Sequence, residues 1–218
     1  MSRSAPQPEH PPKVTDLLIR QKCEAMIEYG YVALRQFPKF ERHVLASYRS
    51  TRPGVQGIAN RIIRWRLKGP YSHSEIVFEP CDGVDDLMPD GSAAPVDGAL
   101  WCVSSVAAER LPPWSQRRAG CMGGVRFKRI ALSPERWDFV RLRGDARQAA
   151  VRARIHEGGL YDWQQVAGYL SWLIPDKDGR WSCAELCAQM LGMAEPWRQD
   201  PCSLHRVAAW AYAQHDAR

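Results

Sequence analysis

Gly179-Arg180-Trp181-Ser182-Cys183-Ala184-Glu185-Leu186-Cys187-Ala188-Gln189-Met190-Leu191-Gly192 places a thiol where a helix begins. Ser182 carries a side-chain oxygen suited to an N-cap, Leu186, Met190 and Leu191 recur at helical spacing, and Gly192 is a natural stop. Glu185 suits the first turn of that helix as a structural acid. A cysteine there faces unpaired backbone N–H groups and the positive end of the helix dipole, both of which favour thiolate over thiol. The stretch predicts a nucleophile, and the fold must then bring a base to it.

Such a thiol needs a base within hydrogen-bond reach and a third polar group to orient that base. Of the six histidines, His10 and His215 lie in tails and His156 precedes the Gly158-Gly159 turn. His73 lies in Tyr71-Ser72-His73-Ser74-Glu75-Ile76-Val77-Phe78, whose β-branched and aromatic content predicts a strand with His73, Glu75 and Val77 on one face. It is the expected base. His43, which opens a short strand to Tyr48, and His205, in a C-terminal helix, compete with it.

Outward from these motifs, residues 1–13 are proline-rich and predict a flexible arm, and residues 14–218 a single domain. A helix is expected from Val14 to about Leu34. Arg52-Pro53-Gly54 reads as a turn before a helix that ends near Leu67, with Val55, Ile58, Ala59, Ile62 and Ile63 as its apolar face. Pro80 to Gly98 is an acidic loop expected to be a solvated, mobile flap, and Ala99 to Val106 resumes as a strand able to pair with the His73 strand. Gly124 to Ile130 alternates apolar and basic residues like a half-exposed strand, and Arg136 to Leu142 makes another. Asp145 to His156 reads as a surface helix and Tyr161 to Leu173 as a further one. Ser203 is expected to cap a last helix with Leu204, Val207, Ala208 and Trp210 on its inner side. Helices, then strands, then helices predict an α+β fold with a mostly antiparallel sheet packed on helices.

The net charge is +6, and only six of the 30 basic residues are lysine. Arginine's planar fork suits phosphate and carboxylate, so polyanion contact through an arginine-rich surface is one expectation, although no zinc-finger or RNP spacing occurs. No apolar run reaches the ~18 residues of a transmembrane segment, and the N-terminus has no apolar h-region, which predicts a cytoplasmic protein. Seven cysteines without regular spacing predict free thiols rather than a disulfide framework. The nine tryptophans, including Trp65, Trp101, Trp163, Trp172 and Trp181, are expected mainly in the core.

Together, Tyr71-Ser72-His73-Ser74-Glu75-Ile76-Val77 and Trp181-Ser182-Cys183-Ala184-Glu185-Leu186 resemble the circularly permuted branch of the NlpC/P60 papain-like superfamily, in which the histidine strands precede the cysteine helix. Gly159-Leu160-Tyr161-Asp162-Trp163 resembles the aromatic segment before the cysteine, and Gly123-Gly124-Val125-Arg126-Phe127 a segment of uncharacterised phage and prophage members. The resemblance covers roughly residues 44–192 and implies a permuted papain-like fold. It also implies that Cys183 is the nucleophile, His73 the general base and then acid, and the Cys183 N–H an oxyanion donor. The family takes its third member from the strand paired with the histidine strand, which offers Ser104 and Ser105. These rank ahead of Glu75, since residues i and i+2 of a strand are about 6.5–7 Å apart. Tyr161, with Trp181 and Tyr71, is the expected substrate-binding set.

The implied function is thiol-dependent hydrolysis of an amide in a peptide or peptidoglycan stem, with other acyl substrates open and no cofactor. Virion association follows if the chain is phage-encoded. Two other readings compete: a catalytically inactive binding or virion-associated module, and a zinc-stabilised domain using Cys183, Cys187, Cys202 and His205.

Overall fold

The computed structural model describes residues 43–51, 55–80, 84–115, 117–142, 144–164 and 179–216. The N-terminal arm and first helix, the Arg52-Pro53-Gly54 turn and most of the helix expected at 161–173 lie outside the described residues.

Five short apolar segments pair into one antiparallel sheet: β1 (His43–Tyr48), β2 (His73–Phe78), β3 (Leu100–Arg110), β4 (Met122–Ile130) and β5 (Trp137–Leu142), in the order β4-β3-β2-β1-β5. Helix α1 (Val55–Leu67) links β1 to β2, and α2 (Ala146–His156), α3 (Cys183–Met190) and α4 (Pro201–Asp216) follow the sheet. The fold is α+β. Two two-residue strands, β6 (Leu160–Tyr161) and β7 (Arg180–Trp181), form a small parallel pair just ahead of α3.

The pleat divides the sheet's side chains between two apolar layers. Leu45, Ile76, Phe78, Val103 and Phe127 pack with Leu186, Cys187 and Met190 of α3 and Leu204 of α4. On the other face Ala46, Val77, Cys102, Trp137 and Phe139 form a second cluster. Helix α3 is thereby fixed, since truncating a fully buried residue such as Leu186 costs about 2–5 kcal/mol. Helix α2 is the surface helix expected: a stripe of buried alanines, Ala146, Ala149, Ala150 and Ala153, faces the core, and Val151 and Ile155 on its other side are exposed.

Four expectations need correction. In α1, Ile58 and Ile62 are exposed, so the stripe read as its core face points to solvent. In α4, Val207 and Trp210 are exposed while Leu204 and Ala208 are buried. The cap of that helix is Asp200, whose Oδ1 accepts from the N–H groups of Cys202 and Ser203, with the Ser203 hydroxyl accepting the Asp200 N–H in return. The described part of the acidic loop is not a free flap. Asp90 accepts from Arg129 at 2.7 Å and from the Trp101 indole at 3.1 Å, Asp86 binds Arg147 at 2.8 Å, and Val84, Met88 and Ala93 are buried.

Tryptophan placement is also mixed: Trp101 and Trp137 are buried, whereas Trp65, Trp163, Trp197 and Trp210 are exposed.

Candidate active site

Local sequence sets the two halves of the site. Ser182 N-caps α3 in a reciprocal capping box: its hydroxyl accepts from the Glu185 N–H and the Glu185 carboxylate accepts from the Ser182 N–H. The Leu186 N–H bonds the Ser182 carbonyl. The Cys183 and Ala184 N–H groups, the first two of the helix, have no acceptor four residues back within it. Cys183 therefore sits as the first residue of a rigid, buried helix.

His73 is likewise the first residue of β2, opposite Tyr48 in the register. Its Nε2 lies 3.0 Å from Oε1 of Glu75, and the Cys183 thiol is the ring's other interacting neighbour. The structure thus joins a strand residue and a helix residue 110 positions apart in one contact. Access is narrow but present. Cys183 keeps 6% of its surface and the His73 side chain 15%, whereas Cys187 and Cys102 are sealed at 0%.

The group that orients the imidazole is Glu75, not a serine. Its side chain is fully buried and its two oxygens receive a bidentate fork from Arg126 of β4, at 2.7 and 2.8 Å. Arg126 also lies 3.5 Å from Glu109, which pairs with Lys128. Ser104 Oγ donates instead to the backbone carbonyl of Ser74 at 2.6 Å. Ser105 Oγ is buried with no partner among the described residues. Both serines are on the strand paired with β2, yet neither bonds His73.

The electrostatics follow from these contacts. Burial alone would lower the His73 pKa and is the largest single effect. The facing Cys183 sulfur and its hydrogen bond, followed by those of Glu75, outweigh it and raise the value to about 9. Burial pushes the Glu75 carboxyl up, but Arg126's charge and hydrogen bonds, and then His73, bring it down to about 2. At neutral pH an imidazolium thus stands between an ionised carboxylate and the sulfur. Cys187 and Cys102 have their thiols pushed well up, chiefly by burial, and are inert by comparison.

Tyr161 pairs with Trp181, two residues before Cys183, across β6 and β7, and packs edge-on against Trp163 at 5.1 Å. Its phenol is pushed up by burial and then by the nearby Cys183 and Asp162. The pair is held in place by two glycines. The Val125 N–H bonds the Gly159 carbonyl at 2.9 Å, and Gly124, at φ 132°, leaves room for it: a Cβ there would lie 2.3 Å from that oxygen. Trp181 stacks on His156 at 4.3 Å.

Tyr71 departs from the expected substrate role. It is buried, its hydroxyl donates to Asp138 at 3.0 Å, and its ring packs on His205 at 4.3 Å. His205 in turn bonds Ser47 through Nδ1, so it is committed to that network and is not the base. His43 lies at the other end of β1, opposite Phe78. The zinc ligands proposed from the sequence are dispersed as well: Cys202 Sγ faces the Tyr71 carbonyl, and no group of three potential metal-ligating residues occurs among the described residues.

Arg126 is the functional residue that sequence reasoning missed. The alternation of β4 suggested a solvated basic face, yet Arg126 is 1% exposed. The available signal was Glu75 itself, since a carboxylate inside a strand of apolar neighbours requires a cation.

Compared with protein-family models, curated proteins and solved structures, the chain matches none. Among the described residues, no helix is long and apolar enough to cross a membrane.

Proposed function

We propose that this chain is a cysteine hydrolase of permuted papain-like architecture, with Cys183 as nucleophile, His73 as base and acid, and Glu75 as the orienting carboxylate. One observation carries the reading: the His73 imidazole is held between a buried carboxylate and a thiol at a capped helix N-terminus. The sequence resemblance supports the same roles for Cys183 and His73.

In the first step the Cys183 proton resides on His73 and the sulfur attacks an acyl carbonyl carbon, forming a C–S bond. The developing oxyanion is met by the Cys183 and Ala184 N–H groups. Collapse breaks the C–N bond, and the imidazolium gives its proton to the departing amine. Neutral His73 then accepts a proton from water, whose oxygen attacks the thioester, and loss of sulfur completes hydrolysis. Glu75 stays ionised throughout because Arg126 neutralises it on the far side. Tyr161 and Trp181 border the nucleophile and would contact the acyl group.

An amide in a peptide or peptidoglycan stem is the leading substrate class, with esters and thioesters next, because pocket shape rather than the nucleophile sets that choice. The test is labelling by an electrophilic thiol probe, followed by turnover of peptide and muropeptide amides. Wild type should label at Cys183 and lose both labelling and turnover on Cys183→Ala. Labelling that persists in that variant overturns the assignment.

A further inference from the structure

Helix α1 presents its apolar stripe outward: Ile58, Ile62 and Trp65 are 58%, 43% and 76% exposed. At 100° per residue these three lie side by side, with Arg61 on one edge of the stripe and Arg66 on the other, both exposed. Arg64 points the other way, bonding the Arg49 carbonyl and the Thr51 hydroxyl and so fixing which face is free. Along the chain the charge around α1 has one sign. From Arg42 to Ser74 the chain has seven basic residues and no acidic one.

We propose that α1 is a docking surface for an anionic lipid bilayer, with Trp65, Ile58 and Ile62 entering the headgroup boundary and Arg61 and Arg66 snorkelling to the phosphates. Charge complementarity selects this occupant. A second copy would bring the same arginine-flanked stripe against itself, and residues 1–42 carry seven basic against five acidic residues and so offer no net counter-charge. The geometry also fits. Helix α1 runs from the end of β1 to the start of β2, and the Ser72 N–H bonds the Tyr48 carbonyl, so the helix and His73 belong to the same end of the sheet. The proposal is independent of the chemistry assigned to Cys183.

The test is co-sedimentation of the full chain with vesicles of phosphatidylcholine containing phosphatidylglycerol, against vesicles of phosphatidylcholine alone. Wild type should bind only the anionic vesicles, and less as salt is raised. Trp65→Ser should weaken binding roughly tenfold or more. Arg61→Glu with Arg66→Glu should weaken it by at least about 25-fold, since each basic residue near such a surface is worth about five-fold. Ile155→Ser on α2, 58% exposed in wild type, is the control and should bind as wild type does. The proposal is overturned if wild type fails to bind at low salt, if the α1 variants bind unchanged, or if Ile155→Ser loses as much. It is also overturned if Trp65→Ser dissolves a dimer seen by analytical ultracentrifugation, which would make the occupant a second copy.

Discussion

His43 and His73 each open a strand of the same sheet, at opposite ends of the ladder between β1 and β2, yet their chemistry diverges. His43 is buried with its Nδ1 unpartnered among the described residues. Burial lowers its pKa to about 4, against a smaller opposing effect of Asp145. His73 meets a carboxylate through Nε2 and has the Cys183 thiol beside it, and its value rises to about 9. Desolvation is the largest single effect in both, so burial does not distinguish them. A partner of opposite charge does, and only His73 has one that is itself locked by a buried arginine.

The comparison breaks most visibly at the chemistry. His73→Ala should reduce thioester formation by about 10²-fold or more and slow the alkylation of Cys183 by iodoacetamide at neutral pH. His43→Ala should leave that alkylation rate unchanged, at a cost in stability alone. Equal loss of reactivity in the two variants would remove the distinction between the histidines.

Glu75→Gln comes next, because it strips the charge from one half of a buried pair. Leaving Arg126 with only the more distant Glu109 should destabilise the fold by about 3–5 kcal/mol in urea titrations. The double variant Glu75→Leu/Arg126→Met should regain much of that stability while His73 titrates lower than in wild type, raised by Cys183 alone, which NMR titration of the imidazole would read. If the double variant keeps a titration near 9, Glu75 is not what holds the ring.

The strands and α3 were legible because their signals are local: β-branched and aromatic runs at period two, and a serine cap followed three residues later by glutamate. The β1 boundaries fall where the pattern puts them. Helix α1 was read inside out for a physical reason. Periodicity locates an apolar stripe on a helix but contains nothing about what that stripe meets, and here Ile58 and Ile62 meet solvent. The third member of the site failed differently. Whether Glu75 reaches His73 depends on rotamers, and whether Arg126 reaches Glu75 depends on the register of β3 between them, which places Ser104 opposite Arg126. Neither is encoded within a few residues of the motif.

The two histidines also predict opposite slopes of stability with pH. For His73 the folded value lies above the ordinary 6.5, so its stabilisation is complete below 6.5 and is lost as pH rises toward 9. For His43 the folded value lies below 6.5, so its neutral burial is harmless above 6.5 and becomes unfavourable as pH falls toward 4. Folding free energy should therefore fall away on both sides of about 6.5. Replacing His43 should flatten the acid side only, and replacing His73 the alkaline side only. Chemical denaturation across that range checks both arms, and a basic-side slope that survives His73→Ala would assign it to another group.

The smallest effects test the serines. Ser104 Oγ donates to the Ser74 carbonyl, so Ser104→Ala should cost about 1 kcal/mol, the net worth of one buried neutral hydrogen bond. Ser105 Oγ is buried without a partner among the described residues, and removing it relieves a desolvated hydroxyl, so Ser105→Ala should be neutral or slightly stabilising. Neither should move the titration of His73 or the alkylation rate of Cys183, because neither hydroxyl touches the imidazole. This separates a strand that builds the site from a side chain that works in it. If Ser104→Ala slowed alkylation as much as Glu75→Gln, the hydroxyl would have to leave the Ser74 carbonyl for His73 when the site is occupied, and the orienting role would be shared between the serine and the carboxylate.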